Sequence, residues 1–182
     1  MTQLYLIRHA HTQADPVVDA AHWTLSATGQ AQAAALAALP FWDGVAHILV
    51  SSEAKTRLTV APVLARRTLP VSVDSRFDEV QRPGWVEDYA AQVQAALAAP
   101  AQAVGGWEPV AHALHRFLAG LAAHLASVSD APVALVSHGL VLTAYCAYLR
   151  QQWPPAFTAW QQLGFAAVAL VDLRDPTLLE NF

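Results

Sequence analysis

The chain has one cysteine, Cys146, so no internal disulfide can form. That usage fits a reducing cytoplasm, where we expect the protein to reside. Charge is scarce: only 13% of residues are Asp, Glu, Lys or Arg, and the net charge is −4. There is no basic run and no interleaved aromatic series, which argues against a nucleic-acid partner. The longest apolar run, Leu163 to Val171, is too short to cross a membrane. No basic segment followed by a long apolar stretch opens the chain, so no secretory leader is expected.

Several phosphate-handling and acyl-transfer motifs are missing as well. There is no Gly-x-x-x-x-Gly-Lys-Ser/Thr loop and no Gly-x-Gly-x-x-Gly after a strand. There is no Gly-x-Ser-x-Gly elbow. Cys146 lacks the arginine six residues on that a cysteine phosphatase loop needs; Gln152 stands there.

What is present is apolar and alanine-rich. Apolar residues make up 55% of the 182 positions. A chain of this length is expected to fold as one domain, burying about 70% of its unfolded surface. Short apolar runs at Leu4–Ile7, His47–Val50, Val71–Val73, Val133–Val136 and Leu163–Val171 read as strands. Between them lie helical stretches: Ser26 to Leu39, Lys55 to Arg66, Val86 to Ala98, Val110 to Leu125 and Leu140 to Gln151. In the second of these, Pro62 is expected to kink the helix or reset its start. The alternation predicts a three-layer α/β/α sandwich around a mostly parallel sheet. Residues 74–109, with the turn Pro83-Gly84, read as a lid-like excursion over one sheet edge.

Two of the strands end in histidine. Arg8-His9 follows Leu4 to Ile7, and His138-Gly139 follows Val133 to Ser137. A histidine beside a fixed cation at the C-terminal edge of such a sheet suits a nucleophile for an anionic substrate.

The order Leu6-Ile7-Arg8-His9-Ala10-His11-Thr12, then Ser137-His138-Gly139, resembles the histidine phosphatase (phosphoglycerate mutase-like) superfamily. Leu25 to Ala33, Ser51 to Lys55, and Phe77-Asp78-Glu79 fall in the family's order between them. The resemblance spans nearly the whole chain. It implies a phosphoglycerate mutase-like fold and hydrolysis of a small phosphorylated metabolite through a phosphohistidine. His9 matches the nucleophile, Arg8 the first phosphate clamp, His138 the protonated donor to the phosphoryl oxygens and Glu79 the general acid. Thr12 matches the motif's threonine and is a candidate either to bond the phosphate or to cap the turn after the strand. The second clamp is Lys55, with Arg57 the next choice, because Thr56 stands at the family's arginine. Arg82, His11, Trp23 and Trp85 are candidates for the pocket mouth. The family's glycine after the nucleophile is Ala10 here, tolerable if its φ is negative.

No metal or organic cofactor is implied. Glu108, His112 and His115 share helical spacing, but a solvated face explains them better than a metal site. The apolar stretch Trp153 to Phe157 is a candidate oligomer interface. Two alternatives stand beside the hydrolase: a mutase, and a non-catalytic module that binds a phosphorylated ligand.

Overall fold

The computed structural model describes residues 3–126, 131–174, 177–180 and 182. Strands Gln3–Arg8 (β1), His47–Val50 (β2), Val71–Val73 (β3) and Val133–Ser137 (β4) pair in parallel. Val168–Asp172 (β5) and Thr177–Glu180 (β6) extend the sheet antiparallel beyond β1. The strand order is β3-β2-β4-β1-β5-β6. The helices are Ala27–Leu36 (α1), Ala54–Leu64 (α2), Tyr89–Ala98 (α3), Val110–Leu125 (α4), Gly139–Leu149 (α5) and Phe157–Gln162 (α6).

The strands alternate between two cores, as a period of two requires. Ile7, Ile48, Val50, Ala134 and Val136 meet Leu36 of α1 and Val60 and Val63 of α2. Leu4, Leu6, Leu49, Val133 and Leu135 meet Val93 and Leu97 of α3, Phe117 of α4 and Leu140 of α5. Each fully buried Leu, Ile or Phe contributes roughly 1.5–3 kcal/mol. Both faces of the sheet are covered, so the architecture is the expected α/β/α sandwich.

Register places the site. Arg8 pairs with Ser137, so β1 and β4 end level with one another. One residue further on, His9 and His138 stand side by side, and the His9 N–H donates to the Ser137 carbonyl at 2.9 Å.

The expected last strand, Leu163 to Val171, is corrected. Leu163 closes α6, and the strand begins only at Val168. Between them Ala166 takes a positive φ of 56°, which breaks the extended run. Helix α3 starts at Tyr89 rather than Val86 because Asp88 caps it, accepting from the Ala91 N–H. Pro62 falls in the last turn of α2 and does not reset its start. Helix α6 and strand β6 are too short to announce themselves by periodicity.

Candidate active site

His9 is buried, and its Nδ1 lies 2.8 Å from the Ala10 carbonyl oxygen. A carbonyl only accepts, so Nδ1 carries the proton and Nε2 keeps its lone pair. The His138 ring faces it, with centroids 5.1 Å apart. Burial, then the neighbouring His138 and Lys55, hold the His9 pKa well below its ordinary 6.5. His9 is therefore neutral, the state a nucleophile needs.

His138 is completely enclosed as well. Its Nε2 sits 2.7 Å from Ser51 Oγ. That oxygen also accepts from the Glu53 N–H at 3.2 Å and lies 3.1 Å from Thr56 Oγ1. The other ring nitrogen, Nδ1, is buried without a partner. Burial, then Lys55, push the His138 pKa well below 6.5 too. Burial thus holds both rings toward the neutral form in the free site.

Arg8 lies flat over the Phe165 ring, 3.9 Å from its centroid, and Nη1 donates to the Leu163 carbonyl. Its Nε is buried without a partner. Gly139 makes this placement possible: a Cβ there would come within 3.2 Å of both Arg8 Cζ and Trp160 Nε1. The segment 163–167 thereby seats the arginine from below.

Helix α2 gives Lys55 and Arg57 different surroundings. Lys55 is buried in the first turn and pairs with Glu53. Its Nζ also stands 5.9 Å from the Trp23 ring centroid. Arg57 is exposed and is not brought to the histidines. Glu53 joins several groups at once: besides Lys55, it lies 3.4 Å from His138 Nε2 and accepts the Glu79 N–H at 2.8 Å.

Glu79 accepts three backbone N–H groups. Val80 and Val141 donate to Oε1 at 3.0 and 3.2 Å, and Leu140 donates to Oε2 at 3.0 Å. The last two open α5, so this carboxylate caps the helix that begins after His138. Arg116 of α4 holds the same segment from behind. It donates to the carbonyls of Arg76, Asp78 and Glu79 at 2.7–2.9 Å and is itself paired with Glu108.

Over the mouth, Arg82 is half-buried among Tyr89, Trp23 and Trp107, with its Cζ 5.0, 5.7 and 5.8 Å from the ring centroids. Trp85 is exposed beside Trp23, ring centroids 6.2 Å apart. The structure thus brings Arg8, His9, Lys55, Glu79, Arg82 and His138 within electrostatic reach of one another at this edge of the sheet.

The sequence profile of the histidine phosphatase superfamily (branch 1) matches residues 4–178. The chain belongs to this family. As a member it is an enzyme of phosphatase type. Solved structures agree on the fold. A mycobacterial glucosyl-3-phosphoglycerate phosphatase is 23% identical, with TM-score 0.78 over 98% of this chain and 96% of its own. YhfR from Bacillus stearothermophilus is 20% identical, with TM-score 0.76 over 99% and 95%. A mutant phosphoserine phosphatase from Entamoeba histolytica, bound to phosphoserine, is 17% identical, with TM-score 0.74 over 99% and 96%. At these identities the likeness shows the fold alone. No curated protein matches the chain.

The remaining motif positions of this histidine phosphatase shape the loop after His9. Ser26 caps α1 by accepting the Gly29 N–H, and His11 Nδ1 lies 2.8 Å from Ser26 Oγ. Gly29 is required there, because a Cβ would meet the His11 carbonyl oxygen at 1.9 Å. Thr12 forms a bridge to Leu25 through its backbone, and His11 is exposed. Ala10 is not at positive φ, and its N–H donates to Thr59 Oγ1, so the residue replaces glycine without strain. Burial pushes the Cys146 thiol up to about 12, which removes it as a nucleophile.

Ligand atoms of Glu53, Asp78 and His138 lie within 4.8 Å of one another. They are engaged with Lys55, Ser52 and Ser51 respectively. Glu108 precedes α4 and pairs with Arg116, while His112 and His115 are exposed. No described helix is long and apolar enough to cross a membrane.

Sequence reasoning gave no role to Ser51, Glu53, Tyr89, Trp160 or Phe165. Ser51 and Glu53 flank Lys55 in the quoted motif, which was the available signal. The three aromatic residues come from α3, α6 and the turn before β5, and nothing local marks them.

Proposed function

We propose that this chain hydrolyses a small phosphomonoester through a phosphohistidine on His9. One observation carries the reading: His9 Nδ1 is tied to the Ala10 carbonyl, so Nε2 keeps its lone pair beside Arg8 and His138. His9 Nε2 attacks phosphorus, and the bond from phosphorus to the alcohol oxygen breaks. Glu79 gives that oxygen a proton. Glu79, now ionised, takes a proton from water as the water oxygen attacks phosphorus and the P–N bond breaks. Inorganic phosphate leaves and His9 is restored.

Arg8, Lys55 and His138 donate to the three equatorial oxygens as charge grows on them. Donors of this kind are worth about 10²–10³ in rate each. Arg57 has no place in this scheme. Thr12 orders the loop after His9. The segment 74–109 supplies Glu79 and Arg82 and covers the site within one domain spanning 1–182.

Small phosphorylated metabolites are the substrates this reading implies. The similar structures named for glucosyl-3-phosphoglycerate and phosphoserine act on such esters, and the choice among them is made at the mouth. The test is p-nitrophenyl phosphate with wild type and His9→Ala. Wild type releases phosphate and forms an acid-labile phosphoprotein; His9→Ala does neither. Equal rates in the two proteins exclude His9 as nucleophile. Supplying a phosphorylated glycerate and finding isomer in place of phosphate would instead establish a mutase.

A further inference from the structure

We propose that Arg82 and Tyr89 form a second anion-binding subsite, so that the preferred phosphomonoester carries another acidic group close to its phosphoryl group. The proposal rests on the hydrolase reading above and adds a substrate class to it.

Four acids near the histidines are engaged with other groups. Glu53 pairs with Lys55, Glu79 accepts three backbone N–H groups, Asp78 accepts from Ser52, and Glu108 pairs with Arg116. Arg82 forms no ion pair among the described residues. It is nevertheless half-buried and held in place by three aromatic rings. A solvated surface arginine needs no such frame. One of its five N–H donors goes to Tyr89 Oη, at 3.2 Å. That bond uses the phenol as an acceptor and leaves its O–H free to donate. The pair thus presents only donors, backed by a full positive charge, and such a surface selects an anion.

The subsite adjoins the phosphoryl position. Tyr89 lies tilted against Trp160, ring centroids 6.0 Å apart, and Trp160 Nε1 and Arg8 Cζ both lie beside Gly139. The Glu79 carboxylate, then Arg82 and Arg8, act electrostatically on Tyr89. Trp23 closes the ring on the other side, between Arg82 and Lys55. Two anionic groups joined by a short skeleton would span from Arg8 to Arg82. The planar guanidinium accommodates a carboxylate or a second phosphate.

Matched substrate pairs test this. O-Phosphoserine and O-phosphoethanolamine differ by one carboxylate; fructose 1,6-bisphosphate and fructose 1-phosphate differ by one phosphate. Wild type is expected to show a kcat/KM ratio of at least tenfold for the dianionic partner of one pair. The pair that responds identifies the acidic group. Arg82→Gln should reduce that ratio about ten- to hundredfold, as losing a charge-assisted hydrogen bond does. Arg82→Lys should restore part of it, and Tyr89→Phe should lower it less. Ratios near one in both pairs, or ratios unmoved by Arg82→Gln, overturn the subsite. If p-nitrophenyl phosphate is also inert with wild type, the hydrolase reading fails instead.

Discussion

Replacing Glu79 by glutamine separates the chemical role of this residue from its structural one. The carboxylate receives Val80 and Val141 N–H on Oε1 and Leu140 N–H on Oε2. A glutamine oxygen can take the place of Oε1 and keep two of these bonds. Its NH₂ then faces the Leu140 N–H, and one donor at the start of α5 is left unpaired. That costs about 1–3 kcal/mol. For a chain of this size, the melting temperature should fall by roughly 2–12 °C. The protein stays folded at 25 °C.

The rate responds differently, because glutamine has no proton to give. General acid catalysis is worth about 10²–10⁴, or about 3–5 kcal/mol, when the leaving group is a poor one. An alkyl phosphate should lose that factor. p-Nitrophenolate departs without protonation, so p-nitrophenyl phosphate should lose less than about tenfold. The assay is kcat/KM for both esters in wild type and Glu79→Gln. Equal losses on the two esters would refute Glu79 as the acid and leave it a helix cap that positions α5.

Two further outcomes follow from the same geometry. Lys55→Ala should lower kcat/KM by about 10²–10³, with loss of inhibition by inorganic phosphate, because it also leaves the Glu53 carboxylate unpaired in the pocket; Arg57→Ala should stay within about twofold, and the reverse ranking would move the clamp to Arg57. The pH dependence of kcat/KM with an alkyl phosphate should be bell-shaped. A His9 pKa held below 6.5 by burial means that protonation begins only at lower pH. The acid limb therefore lies below pH 6.5, and a half-maximal fall at or above 6.5 contradicts the buried neutral nucleophile.

The strand ends were legible because their signals are local. A short apolar run followed by Arg8-His9, or by Ser137-His138, announces its own structure and its own edge. The same holds for the α1 start at Ser26 and for the periodic face of α4. Lys55 against Arg57 was not legible. The two lie in the same turn of α2, and only the facing of that helix toward β4 and the histidines separates them. Glu53 was visible beside Lys55, yet its partners come from three places in the chain. Phe165 and Ala166 were read as strand because apolar residues look alike until one of them must turn.

The sequence by itself determined the α/β alternation and the two histidines at the strand ends, since each rests on residues adjacent in the chain. The tertiary structure decided which nitrogen of His9 is free, which cation of α2 is buried and which rings frame Arg82. Those depend on carbonyls, helix ends and side chains that meet only when separate elements are brought into register.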